Sequence, residues 1–115
     1  MTGEVNLLAA FLGLKFLPQP LVIGSNSINP RLILHDEEFE YRIFFTTHKI
    51  KYTDVDLVDV YTRFNTANVC ISRKDSVFTF SGKLISKARL IELVQFLKSK
   101  NCILTANATD LLNLH

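Results

Sequence analysis

Residues 77–100 read VFTFSGKLISKARLIELVQFLKSK, and the period of the apolar side chains changes within this stretch. Val77 to Ser81 mixes apolar and polar residues as a short half-buried strand does. From Lys87 to Lys100, Leu90, Ile91, Leu93, Val94, Phe96 and Leu97 fall on one broad stripe, with Lys87, Arg89, Glu92, Gln95 and Lys98 outside it. Ser86 is placed to cap the first turn, and Lys98 and Lys100 suit the negative end of the helix dipole. The stretch predicts a strand followed by one amphipathic helix that closes a core.

Upstream, the same reading gives a run of short strands. Arg31 to His35 is apolar, Asp36-Glu37-Glu38 is a polar turn, and Phe39 to Phe45 puts Phe39, Tyr41, Ile43 and Phe45 on one face. Thr46-Thr47-His48 reads as a turn before Lys49 to Tyr52, with Ile50 and Tyr52 inward. Val55 to Phe64 follows, with Val58, Val60 and Phe64 opposite Leu57, Asp59 and Tyr61. Val69 to Ser72 and Val77 to Ser81 then pair through Arg73 to Ser76, and Gly82 ends the sheet region. Beyond the helix, Ile103 to Thr105 offers one more short strand, and Leu111, Leu112 and Leu114 form a small apolar patch in a polar tail. Strands first and a covering helix last predict a mainly β (α+β) domain: an open barrel or sandwich of about six to seven antiparallel strands.

At 115 residues the chain has room for one domain. Its composition, 48% apolar and 21% charged with nine phenylalanines, is that of a folded chain rather than a disordered one. A net charge of +2, from basic and acidic residues mixed along the chain, lacks the clustered Lys and Arg of a nucleic-acid footprint. Cys70 and Cys102 are too few for a disulfide framework and have no partner at metal-ligand spacing, so both read as buried apolar residues in a reducing compartment.

The N-terminal segment, residues 1–28, is the departure from an ordinary soluble pattern. Between Val5 and Ile23 the only charge is Lys15, and Leu7, Leu8, Phe11, Leu12, Leu14, Phe16 and Leu17 lie almost all round a helix. A membrane span needs about 20 uninterrupted apolar residues, and Lys15 with Pro18-Gln19-Pro20 stops this one too early. A secretory signal would carry a basic region first, where this chain has Glu4. The expectation is an apolar helix outside the folded domain, with Leu7, Leu8, Phe11, Leu12, Leu14 and Phe16 as the interaction surface. It would dock on its own domain, on a second copy, or on a membrane surface through residues 1–25. The domain itself is expected over 29–105, followed by a tail over 106–115.

Residues with chemistry to offer are dispersed. His35 with Asp36, Glu37 and Glu38 is the densest group, but adjacent turn carboxylates point into water and enclose no site. His48 and His115 have no orienting carboxylate nearby in sequence. Cys70 sits in a strand between Val69 and Ile71 with no activating cation beside it. Four glycines, at 3, 13, 24 and 82, make no phosphate-binding loop. The expectation is a protein without catalytic residues, metal or cofactor.

Three stretches carry a resemblance. Leu32-Ile33-Leu34-His35-Asp36-Glu37-Glu38-Phe39-Glu40-Tyr41-Arg42, then Lys49-Ile50-Lys51-Tyr52-Thr53-Asp54-Val55 leading into Val58, and the helix Leu90 to Leu97, are similar to bacterial domains of pleckstrin-homology-like (PH-like) fold. In these, strands wrap a core closed at one end by a C-terminal helix. The likeness spans Arg31 to Lys100, about 60% of the chain. It implies a non-catalytic binding or scaffolding module in the bacterial cytoplasm, with membrane association through the N-terminal segment as the alternative, a protein partner or self-association, and no nucleic acid. Members that bind inositol phosphates gather Lys and Arg at the loop joining the first two strands. That loop is read here as His35 to Glu38, which is acidic, so phosphoinositide headgroup binding is not expected.

Overall fold

The computed structural model describes residues 3–14, 22–26, 31–43, 46–62 and 66–113. Eight strands, β1 (Gly3–Leu14), β2 (Val22–Asn26), β3 (Arg31–Leu34), β4 (Glu38–Ile43), β5 (Thr46–Lys51), β6 (Val55–Tyr61), β7 (Ala67–Arg73) and β8 (Phe78–Leu84), precede two helices, α1 (Lys87–Ser99) and α2 (Ala106–Asn113). A single 3-10 turn, Tyr52–Asp54, links β5 to β6. The mainly β architecture with a covering C-terminal helix is as expected.

All strand pairs are antiparallel, in the order β5-β4-β3-β1-β8-β7-β6, with β2 also on β1. The first half of β1 pairs with β3 and the second half with β8, so this strand joins two sheets. Asn26 faces Ala10 and Arg31 faces Asn6, so β2 and β3 run end to end along one edge of β1 with a one-residue slip. Counted as one, they bring the strand number to seven and the order to 4-3-2-1-7-6-5: two meanders meeting at the first strand.

The N-terminal helix is therefore corrected to a strand. An apolar run without a clear period fits a buried strand as well as a helix. Tertiary pairing chose the strand, because β1 fills backbone ladders toward β3 and β2 on one edge and β8 on the other. The division expected at residue 28 falls between β2 and β3, both of which pair with β1. Three smaller corrections follow from the same ladders. His35 to Glu38 joins the third and fourth strands rather than the first two, and the connection between the first two, residues 15–21, lies outside the described residues. Thr46 to His48 begins β5 instead of forming a turn. Part of the polar tail is the helix α2, whose Ala108 and Leu111 are buried.

The alternation read from the sequence sets the core. Phe39, Tyr41, Ile50, Tyr52, Val58 and Val60 all point inward and are buried, while Leu57 is exposed. Rings bridge the sheets: Tyr41 stacks on Phe80 at 4.4 Å between centroids, Phe39 lies 5.8 Å from Tyr52, and Tyr52 meets Phe96 of α1 edge-on. Ser86 Oγ accepts from the Arg89 amide and starts α1, which buries Leu90, Leu93, Val94 and Leu97 completely. Contact of this helix with Phe80 runs through one shared core, whereas the side chain of Ile43 lies outside the described residues. At its end, Asn101 takes a positive φ of 67°, and Cys102 N–H donates to Leu97 O. Ile103 to Thr105 then lies parallel along β6: Val58 N–H donates to Ile103 O at 2.8 Å, and Thr105 N–H to Val58 O at 2.9 Å. The strand expected there is realised as a single bridge. Leu7 lies over Gly82, where a Cβ would meet Leu7 Cδ2 at 3.0 Å and make that side chain shift.

Burial raises the titration of Tyr41, Tyr52, Tyr61, Cys70 and Cys102, which together give an alkaline signature. Burial, with lesser help from Cys102, pushes the Tyr52 hydroxyl from 10.0 to about 12, and its donation to His35 O at 2.7 Å is lost on ionisation. Burial likewise raises the Cys102 thiol from 9.0 to about 11. A raised folded-state pKa stabilises the fold below the unfolded value, and that contribution disappears as pH climbs through the folded one. Stability should hold to about pH 9, the unfolded thiol value, and fall steadily above it. Urea midpoints across this range should show it, and Tyr52→Phe should flatten the part above pH 10. The flattening should be partial, since Tyr41 and Tyr61 remain, and an unchanged slope in that variant would remove Tyr52 as a cause.

Candidate interaction groove

Where β1 passes from one sheet to the other, a register shift between Leu7 and Ala9 interrupts its ladder with β8. Such bulges re-aim a side chain. Leu7 packs against the core over Gly82, while Leu8 turns out and is 51% exposed. Ile85, in the link from β8 to α1, is 60% exposed. Both line an open groove of about 530 Å³, together with Thr62, Thr66, Ala67, Lys83, Leu84, Ser86 and Lys87. No acidic side chain is in that lining, and among the described residues neither Lys83 nor Lys87 has an ion-pair partner. Its chemistry is that of two cations and three hydroxyls around two exposed aliphatic side chains.

Of the six residues expected as the interaction surface, Leu7 is partly buried against the core and Leu8 lines the groove. Phe11, Leu12 and Leu14 are in β1, opposite Ser81, Phe80 and Phe78 of β8, and their side chains lie outside the described residues, as does all of Phe16. Sequence reading missed Lys83, Ile85 and Lys87 as a group. They flank the change of period near Ser86, which was the available signal, but their meeting with Leu8 depends on the β1–β8 pairing.

The other polar groups are engaged elsewhere. His35 Nε2 lies 2.6 Å from Glu40 Oε1 at the surface, Asp36 is 3.9 Å from Lys100 Nζ, and His48 stacks on Tyr41. No group of three or more His, Cys, Asp or Glu among the described residues is placed to hold a metal ion. Across the second face of the β6-β7-β8 sheet, Asp59, Cys70 and Ser81 are in register, with Tyr61 and Thr79 beside them. Thr105 Oγ1 donates to Asp59 Oδ1 at 2.6 Å. Burial raises the Cys70 thiol despite the nearby Ser81 and Thr79 hydroxyls, and burial with Cys70 and Asp59 raises the Tyr61 hydroxyl strongly. A thiol held protonated is a poor nucleophile. Neither cysteine forms a disulfide, and both are buried. A disulfide thiol reagent at neutral pH should therefore label neither cysteine on the timescale of mixing in the native state, and both in urea. Rapid native labelling of Cys70 would show a reachable thiolate.

No helix among the described residues is long and apolar enough to cross a membrane. Compared with models of known protein families and with curated proteins, the chain matches none.

Proposed function

We propose that this chain is a non-catalytic binding module of PH-like type. Two meanders meeting at the first strand and closed by α1 support the fold part of this reading, together with the resemblance of residues 31–100. The groove carries the functional part. It leaves Leu8 and Ile85 partly in water beside two lysines with no ion-pair partner among the described residues, while the acids, histidines and thiols described are spread over separate places. Leu8 and Ile85 are 51% and 60% exposed, so covering them recovers about half of the roughly 1.5–3 kcal/mol of a full burial, about 1 kcal/mol or somewhat more each.

Self-association through residues 7–16 would follow from a free apolar helix; the segment is instead largely the strand β1, paired with β3 and β8, and Leu7 packs against the core. The partner is sought at the groove instead. A photo-crosslinking side chain placed at Ile85 should give an adduct in cells, and one placed at exposed Leu57 should not. The Ile85 adduct should disappear with Lys83→Glu plus Lys87→Glu. Equal labelling from both positions would remove the groove as the binding surface. A second reading, peripheral membrane association, is favoured by the groove's mixture of lysines and aliphatic side chains.

A further inference from the structure

We infer that the groove docks on an anionic membrane surface, with Leu8 and Ile85 entering the interfacial layer and Lys83 and Lys87 meeting lipid phosphates. This inference rests on the binding-module reading and names its partner. The charge is complementary: two lysines without ion-pair partners among the described residues and no acid in the lining face a surface whose potential attracts cations. The apolar side chains are correctly disposed as well. Leu8 is thrown out by a strand bulge and Ile85 sits on the two-residue link between β8 and α1, so both are exposed beside the lysines. Thr62 adds a hydroxyl beside them, whereas Ser86 Oγ caps α1 and Thr66 Oγ1 accepts from Asn68 Nδ2.

An extended peptide is a poorer fit. Such ligands gain affinity from an unpaired strand edge, but β7 lies between β6 and β8, and β8 between β7 and β1. The sheet's other charged face offers no comparable surface. On it Arg31 is bonded to Glu4, His35 to Glu40, and the lysines of β5 stand opposite Glu38 and Glu40 of β4. The exposed pair Val77 and Phe78 lies beyond a turn in which Arg73 is paired with Asp75, which leaves one lysine, Lys74, where the groove has two.

The test is co-sedimentation of the full chain with phosphatidylcholine vesicles, with and without phosphatidylglycerol. The chain should pellet with the anionic vesicles and not the neutral ones, and less so as salt is raised. Lys83→Ala plus Lys87→Ala should lower partitioning by roughly thirtyfold, since each lysine near such a surface contributes a factor of about five. Ile85→Asp should abolish it, and Val77→Asp, at another exposed position, should leave it unchanged. Circular dichroism of each variant verifies that it is folded. Failure of the chain to pellet with anionic vesicles, equal pelleting with neutral ones, or indifference to the Lys83/Lys87 and Ile85 substitutions overturns the membrane assignment. An Ile85 crosslink to a protein without vesicle binding overturns it too, while leaving the binding-module reading in place; loss of both removes both.

Discussion

Phe80→Ala is expected to cost about 3–5 kcal/mol of folding stability, the range for removing a fully buried aromatic ring. Phe80 is 1% exposed in the middle of β8, between Leu12 of β1 and Ile71 of β7. Its ring stacks on Tyr41, which stands on the opposing sheet. Aromatic pairs add about 0.5–1.5 kcal/mol beyond burial, so the truncation removes a contact between sheets as well as filled volume. A domain of this size has about 5–15 kcal/mol in total, so the variant should unfold at a much lower urea concentration. Phe80→Leu, which keeps most of the volume, should recover over half the loss. A midpoint within experimental error of the parent would mean that the two sheets do not share one core.

Leu97→Ala and Leu90→Ala are each expected to cost about 2–5 kcal/mol, with Val94→Ala costing less because it deletes less volume. Both leucines are completely buried on the inner face of α1. Leu97 also sits where the helix ends, its carbonyl accepting from Lys100 and Cys102. The cavity left by the alanine adjoins the backbone turn that sends the chain on to bridge β6. Loss of that docking should be visible as faster amide exchange at Val58 and Thr105, whose N–H groups bond across the bridge. Unchanged midpoints in both leucine variants would make α1 peripheral, contrary to its complete burial.

From Arg31 onward the sequence was legible because alternation on the strands and a 3.6-residue stripe on α1 are local patterns with a physical cause. One face of each element must leave water, and that need is written at fixed spacing. Phe39 with Tyr41, Ile50 with Tyr52, Val58 with Val60, and Leu90 with Val94 and Leu97 all point inward as that spacing requires. Cys70 and Cys102 were also legible as buried thiols, since neither had a ligand or an activating charge beside it in sequence.

Residues 3–14 were not legible in this way. An apolar run flanked by apolar neighbours has no period to distinguish strand from helix, and the decision lies in backbone partners distant in sequence: Arg31 to Leu34 on one edge and Phe78 to Leu84 on the other. The same pairing decided the groove. Sequence by itself determined that Lys83, Ile85 and Lys87 flank the start of α1, and that an apolar N-terminus needs a place out of water. Only the tertiary structure put β1 between β3 and β8, bulged it at Leu8, and brought that side chain to the lysines, because long-range strand register is set by partners and not by local propensity.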